Sequence, residues 1–149
     1  MAYRFKFETL LTFRKNVEEQ SRLRLTRELA ALERYRGRLA ELRTERLLLI
    51  DEFEASKKEK LEVLKYQYFI DAINYAEVAI INQVAGIALQ EELISGVRRD
   101  LVEKMRARKV IEKVRERDKL VYLREMAKKE QKEGDEQVLL RFGKEAARL

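Results

Sequence analysis

Apolar residues recur along the first third of the chain in steps of three and four. Leu10, Phe13, Val17, Leu25, Leu29, Leu32, Leu39 and Leu42 are followed by Leu49, Ile50 and Phe53. That spacing is one stripe on an α-helix. Arg36 falls in a seam-like position, and the step from Leu39 to Leu42 departs from a strict heptad, which reads as a phase slip. A polar run, Glu54-Ala55-Ser56-Lys57-Lys58-Glu59-Lys60, ends the stripe. A second stripe starts at Phe69 and Ile73. It continues through Ala76, Ile80, Val84, Ile87, Glu91, Ile94, Val97, Leu101 and Met105, and resumes at Ile111, Val114 and Val121. The pattern predicts an all-α protein, a long antiparallel two-helix coiled-coil hairpin. Its first arm covers about 5–54, its connection about 55–66 and its second arm about 67–145. At 1.5 Å per residue the arms are about 75 and about 110 Å long, so the C-terminal helix overhangs its partner.

Composition strengthens the helical reading. The chain of 149 residues has no proline, five glycines and 40% charged residues. Proline breaks helix interiors and glycine weakens them. The length predicts one domain. Gly134, in a charged terminal stretch, marks a candidate kink, and Leu139, Leu140 and Phe142 beyond it make a candidate docking surface.

The same composition removes most chemistry. There is no histidine and no cysteine, so the commonest general base, zinc ligand and thiolate sites are missing. Gly37, Gly86, Gly96, Gly134 and Gly143 form no phosphate-binding loop. Ser21, Ser56 and Ser95 have no neighbouring triad partners. No catalytic residue, metal ligand or cofactor site is expected. Met1 to Phe5 contains no apolar leader. The most apolar stretch, Phe69 to Leu89, holds Asp71, Asn74, Glu77, Asn82 and Gln83 and reads as a buried helix, not a membrane span.

The net charge of +6 is concentrated between Arg98 and Lys119, where ten basic residues face five acidic ones. Such a stretch suits nucleic acid, an anionic membrane or an acidic protein. The interleaved Asp100, Glu103, Glu112, Glu116 and Asp118 suit intrahelical ion pairs instead, and no aromatic residue interleaves the basic ones. No nucleic acid partner is expected.

The opening Tyr3-Arg4-Phe5-Lys6-Phe7-Glu8-Thr9-Leu10-Leu11-Thr12-Phe13-Arg14-Lys15 resembles the start of the bacterial flagellar FliJ family. Tyr66-Gln67-Tyr68-Phe69-Ile70-Asp71-Ala72-Ile73 is similar to that family's mid-chain element. Arg108 to Lys113, Glu130 to Glu136 and Arg141-Phe142 resemble its later segments, in order along nearly the whole chain. Gly134 stands where the family more often has a helix former, and Ile73 where leucine is usual.

The resemblance implies a stalk-like antiparallel coiled coil of the flagellar type III export apparatus. Its partners would be the hexameric export ATPase, the cytoplasmic domain of the export gate and export chaperones. It would be cytoplasmic, peripheral at the cytoplasmic face of the inner membrane. By the family's motifs, Phe69 and Ile73 match the gate-binding surface, Ala76 and Ile80 continue it, and Tyr35, Leu39 and Leu42 lie opposite. Phe69, near the turn, is expected to be partly exposed there. Phe5, Leu10, Leu11 and Arg14, with Glu130, Asp135, Glu136 and Phe142, match the ends that enter the ATPase ring. The alternatives are seam packing for the first set and capping of the open hairpin end for the second. Rival functions are a rotary-ATPase stalk subunit, the stalk of a virulence-type secretion system, and a basic coiled coil that binds nucleic acid.

Overall fold

Two α-helices, α1 (Glu8–Lys57) and α2 (Val63–Arg148), pack as a hairpin. The computed structural model describes residues 2–60 and 62–148. The connection expected over 55–66 narrows, because both helices extend into it. α1 closes with Lys58 N–H on the Ala55 carbonyl and Glu59 N–H on the Ser56 carbonyl, both 3.3 Å. The lysines there suit a helix C-terminus, where carbonyls carry partial negative charge. Leu61 lies outside the described residues. α2 is unbroken through Gly86, Gly96 and Gly134, with no glycine at positive φ. The contacts separate into two units, one of residues 19–102 and one of residues 2–18 with 103–148.

The observed seam is more regular than the apolar stripe. On α1 it follows Leu11, Glu18, Leu25, Leu32, Leu39, Arg46 and Phe53, with Arg14, Ser21, Glu28, Tyr35, Leu42, Leu49 and Ser56 between them. That is an unbroken heptad, and Leu39 to Leu42 is an ordinary step in it. No phase slip exists; polar residues simply occupy seam positions. Arg36 lies beside the seam, bridging Glu33 at 3.2 Å and Glu91 at 3.3 Å. On α2 the seam follows Phe69, Ala76, Gln83, Gln90 and Val97, with Ile73, Ile80, Ile87 and Ile94 between. Val84 and Glu91, expected in the stripe, are exposed, and Phe13 is too. Gln83 and Gln90 take the seam places instead.

In the unit of residues 19–102 the core is Leu32, Leu42, Phe53, Phe69, Ala76, Ile94 and Val97. An aromatic cluster closes it near the connection. The Phe53 ring lies 5.4 Å from both Tyr66 and Phe69, and Lys57 Nζ sits 4.2 Å over Phe53. Between the apolar layers, Gln90 Nε2 donates to the Glu28 carbonyl at 3.0 Å and to Glu28 Oε2 at 2.7 Å. Gln83 Nε2 donates to the Tyr35 carbonyl at 3.0 Å, and Ser21 Oγ to Asp100 Oδ2 at 3.2 Å. Each uses the spare lone pair of a backbone carbonyl or carboxylate, so a polar seam residue is satisfied where it stands.

The stretch from Phe69 to Leu89 is not the buried helix expected of it. An apolar window of α2 with mean hydropathy 1.3 meets the length and composition of a membrane span, yet only 6% of it is buried. One helix partner covers one stripe of α2; the other apolar residues face outward.

This phase assignment is testable by thermal unfolding. Phe69→Ala should cost about 3 kcal/mol or more, as expected for a buried aromatic. Val84→Ala should change stability by no more than about 0.5 kcal/mol, as at an exposed position. Equal losses would place the seam elsewhere.

Candidate functional site

The unit of residues 2–18 and 103–148 begins with a short non-helical segment held against α2. Phe5 is buried, edge-on to Phe7 at 5.9 Å, and its carbonyl accepts from Glu8 N–H at 3.3 Å. Tyr3 packs its ring 5.2 Å from Tyr122 and donates its hydroxyl to Asp118 Oδ2 at 2.7 Å. Partial burial, then the hydrogen bond to Asp118, push the Tyr3 phenol up to about 12. Leu11 is fully buried. Next along the seam, Glu18 is buried and accepts from Arg108 Nε, while Arg108 Nη1 donates to Glu112 Oε2 at 2.8 Å. Its hydrogen bonds to Glu18 and then Glu112 hold the Arg108 guanidinium still more firmly protonated than usual. Arg115 reaches Glu8 at 3.9 Å. Two cations of the basic stretch, Arg108 and Arg115, thus engage this chain's own carboxylates.

The residues matched to the ATPase ring divide between these surroundings and the far end of α2. Phe5 and Leu11 are buried, and Leu10 and Arg14 are half-buried, so they pack the helix start. Glu130, Asp135, Glu136 and Phe142 are exposed. From residue 127 to 148 every described residue of α2 is exposed. Leu139, Leu140 and Phe142 are among them, at 67 to 70%. Glu136, Leu139, Leu140, Gly143 and Ala147 line one shallow groove on this helix. A helix without a partner gains nothing from apolar residues in water, so these three make a candidate docking surface.

The residues matched to the export gate lie in the other unit, and the structure corrects one premise about them. Phe69 is not partly exposed; it is buried against Phe53, because Tyr66 and Tyr68 close around the connection. Ala76 and Leu42 are buried as well. Ile73, Ile80 and Leu39 are half-buried, and Tyr35 is exposed. Beside them Arg43, Arg46, Leu47, Glu77, Ile80 and Ile81 line a groove, in which Arg46 Nη2 donates to Glu77 Oε1 at 2.9 Å.

Reading the apolar stripe misses Glu18, Ser21, Gln83, Gln90 and Arg108, because their polarity hides their seam positions. The missed signal is their spacing in multiples of seven from Leu11, Leu42, Phe69 and Ile73. The stripe also misses the outward apolar residues Tyr68, Tyr75, Val78 and Leu89. Among the described residues, no group of three acidic side chains is placed to hold a metal ion. Compared with known proteins, residues 3–147 match the family described as Flagellar FliJ protein. Neither a curated protein nor a solved structure matches the chain.

The Tyr3 contact predicts a pH response. Its folded pKa lies above the ordinary value of 10.0, so the protonated phenol is the form that folding favours. The contribution is complete below pH 10 and is lost as pH rises through about 12. Phenolate absorbance should show one late-titrating tyrosine, absent in Tyr3→Phe; a titration unchanged by that substitution would remove the contact.

Proposed function

The chain belongs to the FliJ family, and we propose that it docks in the flagellar export apparatus with the end of α2 inside the hexameric export ATPase. The family serves flagellar protein export and is structural rather than enzymatic. The carrying observation is the fully exposed run from 127 to 148 with Leu139, Leu140 and Phe142 on it. A ring of subunits around a helix can cover it from all sides, which suits a helix whose apolar residues lie on more than one face. Glu130, Asp135 and Glu136 supply charge for orientation, which governs encounter more than affinity. Phe5, Leu11 and the Glu18–Arg108 pair hold the start of α1 against α2 and so present that end.

The second contact proposed is with the cytoplasmic domain of the export gate. Tyr35, Ile73, Ile80 and Leu39 remain accessible for it, while Phe69, Ala76 and Leu42 shape the face from within. Export chaperones, and a cytoplasmic position at the inner face of the membrane, belong to the same reading. The nucleic-acid reading loses support, since Arg108 and Arg115 are engaged with Glu18, Glu112 and Glu8.

Removing residues 128–149 should abolish stimulation of the export ATPase and leave the hairpin's melting unchanged. Phe142→Ala combined with Leu139→Ala and Leu140→Ala should weaken ring binding by about 2 kcal/mol or more. Intact stimulation by the shortened chain would move the contact. Separately, Tyr35→Ala should weaken capture of the gate's cytoplasmic domain by about tenfold while the hairpin stays folded and helical. Unchanged capture would remove Tyr35 from that face.

A further inference from the structure

In the unit of residues 19–102, α2 carries a second heptad on its outer side. Tyr68, Tyr75, Asn82 and Leu89 recur every seventh residue, and Asp71, Val78, Ala85 and Glu92 fall between them. All of these are exposed. Tyr75 reaches 78%, Leu89 68%, Tyr68 63% and Val78 55%. The flanking positions are Ala72, Asn74, Ala79, Ile81, Gly86 and Ala88, none of them charged. A solvated helix face carries charge at such places. A heptad with small, neutral flanks is the surface of a helix that packs closely on another helix.

We infer that a second copy of this chain covers this face, antiparallel, about a two-fold axis between Asn82 and Ala85. An isologous contact needs a surface that complements itself when read backwards, and this one does. Set Asn82 opposite the second copy's Ala85, and Val78 meets Leu89, Tyr75 meets Glu92, and Tyr68 meets Arg99. Each pairing occurs twice. The apolar pairs flank the axis, Ala85 leaves room for the Asn82 amide, and each Tyr75 hydroxyl has a carboxylate to donate to. Tyr68 offers its ring to a guanidinium. Laid parallel, the same faces would set Asp71 against Asp71 and Glu92 against Glu92, like charges in register. A lipid surface fits less well: α2 has no Lys or Arg from 66 to 97 to meet anionic headgroups. From Tyr68 to Arg99 the contact is about 47 Å long at 1.5 Å per residue. That length suits an interface near the small end of the specific range, about 1,200 Å² in total.

The chain has no cysteine of its own, which makes the register directly readable. Val78→Cys and Leu89→Cys, mixed and oxidised, should form a covalent dimer. Neither alone should, because each sulfur's copy lies about 16 Å away along the axis. Sedimentation equilibrium of the full chain should show a monomer–dimer equilibrium at micromolar concentration. Leu89→Glu should shift it at least tenfold toward monomer with helicity unchanged. A chain that stays monomeric to about 1 mM, or cysteines that link equally well alone, would overturn the proposal. So would a monomer whose Leu89→Glu variant loses binding to phosphatidylglycerol vesicles or to the gate's cytoplasmic domain, which would give the face to that partner. The inference is independent of the export reading: the dimer stands or falls whatever the terminal helix does to the ATPase.

Discussion

Two helices can bury one stripe each, and no more. In a three-layer domain a misplaced apolar residue still finds cover; here it stays in water. Every other feature follows from that limit. It explains why Phe53 and Phe69 gather near the connection, where Tyr66 and Tyr68 add cover from the side. It also explains why an apolar stretch of α2 can be long enough to suggest a membrane span and still have only 6% of its residues buried. The exposed residues therefore carry information about partners that the buried ones do not.

A seam this narrow has a second difficulty, which is sliding. Layers of leucine and isoleucine are interchangeable when one helix shifts by a heptad. The polar members are not. Gln90 meets Glu28 through two acceptors, and Gln83 needs the Tyr35 carbonyl. Among the residues of the other unit, Glu18 is buried with Arg108, so a shifted register would leave a charge without its partner. Removing one side of such a pair costs several kcal/mol, which is the attested use of polar groups in coiled coils.

The helices were legible in the sequence because nothing in it interrupts them: no proline, few glycines, and apolar steps of three and four. The hairpin was legible because the polar run after Phe53 separates two stripes. The phase was harder. Leu10, Phe13 and Val17 look like a stripe, but Leu11, Arg14 and Glu18 face the partner, and only distant hydrogen-bonding groups make Glu18 and Ser21 acceptable there. Hydrophobicity cannot report a buried carboxylate whose cation lies far along the chain. Phe69 reads as partly exposed for a related reason, since its cover comes from neighbours that a count of two helices omits. Of the candidate site, the exposed terminal residues were readable as apolar groups in a charged setting. The outer heptad was not, because it lies one position from the seam and shares its apolar character.

The same hydrogen bonds also set an order of events. Arg46 and Glu77 close a loop of 31 residues, Tyr35 and Gln83 one of 48, and Glu28 and Gln90 one of 62. Ser21 and Asp100 close 79, Glu18 and Arg108 close 90, and Tyr3 and Asp118 close 115. Closure entropy rises with each span, and it falls steeply once the preceding contact is made. These spans favour closure from the Phe53 aromatic cluster outward, with the start of α1 the last to meet its partners. Until then the start of α1 waits with its buried-to-be surface open, the interval in which a chaperone or an unwanted neighbour can reach it.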